Sequence, residues 1–134
     1  MSASLHHDAL VARLRADTQL ASRVFEVGEV PTTAPEWYLV VDSSLGDWSQ
    51  VRYTAAKDAL LTRHSVHCVG RQVSLVRHGA GRVEAQMKDH RLVISGRNVF
   101  RPDPWIARGV NVDRDGLINL PFGTIAFDIL SEPA

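Results

Sequence analysis

The chain has 134 residues, 45% of them hydrophobic and 22% charged, with a formal net charge of zero. That composition belongs to an ordinary folded protein. It argues against a nucleic-acid binder that works by bulk attraction, and no apolar run reaches the length of a membrane span. One cysteine makes no internal disulfide, so a reducing cytoplasm is the expected site of synthesis, and the start "MSASLHHDAL" lacks signal-peptide anatomy.

A chain of this length buries roughly two thirds of its unfolded surface without staples, and a single domain over residues 1–134 is expected. The charge is uneven along it. Residues 1–62 carry a net −3, residues 63–114 a net +6 and residues 115–134 a net −3. Opposite-signed pieces suit contacts between neighbouring molecules; folding can equally mix them on one surface.

Residues 5–16 read as a helix. Leu10, Val11 and Leu14 form one apolar stripe, and Leu5, Ala9, Ala12 and Ala16 form a second of mostly small residues, so the helix can touch two surfaces. Alanine is also the best helix former, and that side can simply face water. Asp17 can cap the short turn "TQLAS". Residues 24–27 are a short strand, and "GEVPTTAPE" is a loop. "WYLVVDS", 37–43, is a near-continuous apolar run expected as a central strand covered on both faces. Residues 44–50 read as a loop with an exposed Trp48, and residues 51–56 as a weaker strand or a loop arm.

"LLTRHSVHCVG", 60–70, is β-rich. A helix over about 72–90 follows, with Val73, Val76, Ala80, Val83 and Met87 on one side. Leu75 points away from that stripe, either exposed or used by a neighbour. Gly79 and Gly81 weaken the helix by up to roughly 1 kcal/mol each. Short strands are expected at 91–95 and 97–101, irregular chain at "RPDPW", a half-buried strand at 107–113 and a turn at 114–116. The final β region, 117–131, presents Ile125, Phe127 and Ile129 on one face, with a bulge or break at Pro121 and Gly123. The fold class is therefore α+β: a small mixed or antiparallel sheet packed by an N-terminal helix and a central helix.

The stretch 64–87 gathers His64, His67, His78 and Cys68. On a strand, positions three apart face opposite sides, so His64 and His67 cannot share a metal. His64 and Cys68 share a face, but two ligands make no site. Cys68 sits among apolar residues, where cysteine behaves as a small hydrophobe. No nucleophile elbow or phosphate loop is present, and the many arginines are not interleaved with stacking aromatics. No catalytic residue, metal ligand or cofactor site is assigned.

The pieces "ALVARLRADTQLASRVF", "WYLVVDSSLGDW", "HSVHCVG" with the helix after it, and "LVISGRNV" through "VNVDRDG" to "FGTIAFDIL" together resemble the tail terminator (tail completion) proteins of long-tailed bacteriophages, particularly those of actinobacterial hosts. The resemblance spans roughly residues 8 to 131. It implies a virion structural protein without chemistry: a six-membered ring in the tail–neck region that caps the head-proximal end of the tail tube, stops its polymerisation and docks the head's connector. DNA would pass through the lumen without sequence-specific binding. The partners implied are further copies of the chain, the tail tube protein and the connector or stopper, with no membrane.

Interface candidates follow from the residue types that anchor interfaces and the loops that would reach partners. They are Leu5, Ala9 and Ala12 on the first helix, Trp48, Arg52 and Tyr53 in loop 44–57, Leu75, and Arg101 with Trp105 in loop 101–105. Trp48 and Trp105 can instead fold back to cap their own core. The other readings are a connector or stopper of the neck, a small cytoplasmic enzyme using Cys68 and His64, and a monomeric binding domain.

Overall fold

The computed structural model describes residues 4–49, 59–112 and 120–134. In chain order the elements are α1 (Ser4–Arg15), β1 (Val24–Glu26), β2 (Trp37–Ser43), β3 (Asp47–Ser49), β4 (Ala59–Gly70), α2 (Val73–Met87), β5 (Arg97–Val99), β6 (Ile106–Ala107), β7 (Asn111–Val112) and β8 (Pro121–Pro133). The class is α+β, with two helices on a mixed sheet. The sheet order is β1-β2-β4-β8-β5; β3 also pairs β4, and β6 and β7 also pair β8. β1 runs parallel to β2, and the other pairings are antiparallel.

β4 and β8 form the spine, in register from Leu60 opposite Ser131 to Val69 opposite Phe122. Side chains alternate across a strand, and burial follows. Leu60, Thr62, His64, Val66 and Cys68 are buried, as are Ile125, Phe127, Ile129 and Ser131 opposite them. Both helices lie against this face. Leu10, Val11 and Leu14 of α1 and Val76, Val83 and Met87 of α2 join Leu39, Val66 and Ile125 in one hydrophobic cluster. Beyond packing, Arg13 Nε donates to the Gln86 carbonyl at 3.1 Å and Gln86 returns a bond to the Arg13 carbonyl at 3.0 Å. Buried Asp17 accepts from the Gln19 amide at 2.8 Å and from Arg82 Nε of α2 at 2.8 Å. The turn after α1 is thus tied to α2 as well as capped.

Several sequence expectations change. β2 is covered on one face more than the other: Trp37, Leu39 and Val41 are buried while Tyr38 and Val40 are half-buried. Residues 47–49 form β3 where a loop was expected, because they continue along the same edge of β4 as β2. Residues 91–95 are not a strand, although Leu92 is buried. The expected strand at 107–113 is two exposed two-residue strands, β6 and β7. Pro121 and Gly123 do not break β8. Proline is tolerated as a strand's first residue, and Gly123 pairs in register with Cys68. Val73 is 39% exposed, at the first turn of α2, so the stripe begins at Val76. The weaker strand or loop arm at 51–56 and the turn at 114–116 lie outside the described residues.

Gly79 sits where α2 crosses β2. A Cβ there would lie 3.2 Å from the Trp37 ring, whereas one at Gly81 would meet nothing within 4 Å. Trp37 is also held by Arg23, whose guanidinium lies 4.5 Å from the ring centroid and donates to the Trp37 carbonyl at 3.0 Å. The ring therefore has little room to yield. Gly79→Leu is expected to lower stability by about 2 kcal/mol through overpacking, and Gly81→Ala to raise it by about 0.5–1 kcal/mol through helix propensity. Urea denaturation of the two variants checks both signs.

Candidate functional site

The most concentrated chemistry lies under α1, where histidines and hydroxyls form one chain of hydrogen bonds. His6, on the buried face of α1, bonds Thr62 Oγ1 through Nδ1 at 2.7 Å and Ser131 Oγ through Nε2 at 2.6 Å. Thr62 Oγ1 bonds His64 Nε2 at 2.6 Å, and His64 Nδ1 bonds Ser43 Oγ at 2.7 Å. Ser43 bonds His7 Nδ1 at 2.7 Å, and His7 Nε2 meets Glu26. At the other end Arg97 Nε donates to Ser131 Oγ at 2.8 Å and Arg97 Nη2 to the Ser131 carbonyl at 3.0 Å.

The two ends fix the direction. A guanidinium only donates and an ionised carboxylate only accepts. The hydrogen bond from His7 holds the Glu26 carboxyl below its usual range. Because Ser131 Oγ accepts from Arg97, its own hydroxyl donates to His6 Nε2. With neutral imidazoles every later proton then follows: His6 to Thr62, Thr62 to His64, His64 to Ser43, Ser43 to His7, and His7 to Glu26. No donor or acceptor along the chain conflicts. Burial agrees with neutral rings at His6 and His64. It lowers His6 to about 4, helped by the Arg97 charge, and His64 to about 3, helped by His6 and His7.

Ser43, His7 and Glu26 stand in the order serine–imidazole–carboxylate of a hydrolase. The resemblance stops at connectivity, because Ser43 Oγ also receives the His64 proton, which draws electron density from a would-be nucleophile. What the chain of bonds does is dock α1 on β2, β4 and β8 with every polar group satisfied, as buried polar groups require. It is closed on one side by an aromatic stack. Trp105 lies on Phe127 with centroids 5.2 Å apart, and Phe127 lies on His64 at 5.7 Å.

Cys68 is buried, and burial pushes its thiol up to about 12. A thiolate nucleophile needs the opposite setting. His64 and Cys68 share a face as expected from the sequence, but His64 is committed to Thr62 and Ser43. Among the described residues no three histidine, cysteine or carboxylate side chains are grouped to hold a metal.

The interface candidates scatter. Leu5, Ala9 and Leu75 are half-buried, the last two against the hydrophobic cluster, and Ala12 is exposed. Trp48 is half-buried with the Arg97 guanidinium 5.6 Å from its ring centroid, not exposed as the sequence suggested. Trp105 folds onto Phe127. Arg101 is exposed, 3.9 Å from Asp89. Arg52 and Tyr53 lie outside the described residues. Sequence reading missed the buried roles of His6, Thr62, Ser131 and Arg97. The one available signal was His6 falling beside the Leu10 stripe.

Two surface hollows flank β5. One is lined by residues 91–94, 97–100 and Glu132, the other by Leu61, Phe100, Asp128 and Leu130 with Arg91, Arg101 and Asp103. Arg91 and Phe100 line both. Ser43 lines neither.

No family model matches the sequence, and no curated protein does. Among solved structures, the fold matches a chain of the virion of a native gene transfer agent (GTA) particle. The TM-score is 0.66, the match covers 98% of each chain, and 17% of the residues are identical. At that identity the likeness is one of fold.

Two outcomes follow from the buried groups. Unfolding releases His6 and His64 to take up protons near pH 6.5, so their contribution to stability is fully present above that value and declines as pH falls toward 4. The expected loss is about 1.5 kcal/mol for each between pH 6.5 and pH 5, read by urea denaturation across that range; a flat profile would refute the neutral chain of bonds. A maleimide should label Cys68 in the native protein at least tenfold more slowly than in urea, and equal rates would reopen the thiol reading.

Proposed function

We propose that the chain is a structural subunit of a phage-like virion, and within it the tail terminator. The end-to-end likeness of fold to a chain of a gene transfer agent virion carries this reading. The sequence resemblance to tail terminators narrows it. The interior adds support: the polar groups under α1 are used to hold the helix, and the one thiol is sealed.

In this role the chain forms a ring, by our reading a hexamer, on the head-proximal end of the tail tube. It stops tube growth and offers a docking face to the connector, while DNA passes through the lumen without sequence-specific contacts. The protein works by assembly and requires no catalysis, metal or cofactor. Its partners are its own copies, the tube protein and the connector or stopper, and its location is the virion neck. Loop 44–57, with Trp48, Arg52 and Tyr53, and loop 101–105, with Arg101 and Trp105, are the segments proposed to reach the tube and the connector. Leu5, Ala9, Ala12 and Leu75 are proposed for contacts within the ring.

The test is electron microscopy of lysates from a phage carrying a deletion of this gene. Overlong or unjoined tails beside filled, tailless heads are expected. Tails of normal length that fail to join heads would move the protein to the connector or stopper. Normal particles would remove the neck reading altogether.

A further inference from the structure

We propose that a second copy of this chain docks head to tail on the sheet, the acidic β1–β3 edge of one copy lying against the basic β5–β7 edge of the next. This deepens the ring reading and rests on it for the choice of another copy as partner.

The sheet order separates charge that the whole chain cancels. β1, β2 and β3 lie on one side of the β4–β8 spine, and β5, β6 and β7 on the other. Residues 23–48 hold five carboxylates and one arginine. That arginine, Arg23, is engaged on Trp37, and of the five carboxylates Glu26 is engaged on His7. Residues 88–108 hold five basic residues and two carboxylates; of the five, Arg97 is buried on Ser131, Arg101 faces Asp89 and Lys88 faces Glu84. Exposed Glu36, Asp42 and Asp47 make no ion pair among the described residues, nor do exposed Arg91 and Arg108.

Each edge also presents apolar surface inside its charged frame. On the acidic side Leu45 is 92% exposed, in the bulge between Asp42 and Asp47. On the basic side Val93 is 92% exposed beside Arg91, and Phe100 is 41% exposed where the two hollows meet. An apolar side chain flanked by carboxylates fits a hollow lined by Phe100, Leu61 and Leu130, where Arg91 and Arg101 stand beside Asp103 and Asp128.

The geometry selects a heterologous contact. A two-fold pairing of either edge with itself would set like charges together, whereas joining opposite edges satisfies both. The joined pair then keeps one acidic edge free on one copy and one basic edge free on the other, so the contact repeats until a ring closes. A partner of another kind would need only one of the two edges; the presence of both on one electroneutral chain favours another copy.

Sedimentation of the full chain tests this with charge reversal. The wild type should assemble at low salt and dissociate as salt rises. Asp42→Lys with Asp47→Lys, and separately Arg91→Glu with Arg108→Glu, should each weaken assembly at least tenfold. An equal mixture of the two variants should assemble again, because each reversed edge meets a reversed edge and each native edge a native one. A wild type that stays monomeric, or variants that assemble like it, would overturn the proposal.

A second measurement does not depend on the reversed charges being tolerated. With a short bis-maleimide, Leu45→Cys combined with Val93→Cys should give a ladder of multimers, and either substitution alone should give monomers. Dimers from Leu45→Cys alone would mean a two-fold contact, and an internally linked monomer from the double variant a fold-back; each refutes the proposal. A ladder together with normal particles from the gene deletion would keep the contact and discard the virion role. A terminator phenotype without a ladder would do the reverse.

Discussion

The antiparallel register of β4 against β8 is the constraint on which everything else rests. It places Thr62 and His64 on the same face as Val66, Cys68, Ile125, Phe127, Ile129 and Ser131. A slip of one residue would turn that whole set outward. The apolar half of the face carries α2, through Val76, Val83 and Met87. The polar half carries the start of α1, through His6. One strand pair therefore fixes two kinds of packing, one by apolar area and one by directed hydrogen bonds. The second kind demands more of the sequence. A mislaid methyl costs a little packing, while a mislaid hydroxyl leaves a buried ring nitrogen without a partner.

Much of this was legible in the chain because periodicity is local. The stripes Leu10–Val11–Leu14 and Val76–Val83–Met87, and the shared face of His64, Val66 and Cys68, were all readable from spacing. What escaped depends on residues distant in sequence. His6 bonds Ser131 across 125 positions; its place beside the Leu10 stripe marks it as inward-facing, but no local pattern names its partner. Trp48 looked like a loop residue because its neighbours are turn formers. It is drawn into a strand by pairing with Leu60 and beside Arg97 by the sheet order. The segment at 91–95 has strand-like composition but finds no strand to pair with. Pro121 and Gly123 signalled a break in isolation; the spine overrode them, since a proline can open a strand and a glycine is accepted where Val76 lies 3.5 Å from its would-be Cβ.

Of the candidate contact residues, the sequence could name types but not environments. Trp105 and Trp48 were chosen as aromatic anchors, and each already has a neighbour inside its own subunit, Phe127 and Arg97 respectively. A half-buried aromatic can still carry an interface, because it offers a rigid edge at little entropic cost. The more telling surface feature is one that composition concealed. Zero net charge looks featureless, yet strand order sorts the acidic and basic segments onto opposite sides of the spine.

The interior and the edges solve different problems with opposite means. Beneath α1, three histidines sit in a setting that favours neutral rings at two of them, with charge confined to the ends of the chain of bonds at Arg97 and Glu26. That arrangement holds a helix without burying unpaired charge, which would cost far more than it returned. At the edges exposed Glu36, Asp42, Asp47, Arg91 and Arg108 make no ion pair among the described residues, and there a charge costs little and acts at a distance. A subunit that must fold alone and then join others benefits from that division. On the proposed contact, the charges that would meet a neighbour are separate from the groups that hold α1. Reversing an edge charge should therefore alter association and leave the fold intact, whereas breaking the chain of bonds at His6 should loosen α1 before it touches the edges.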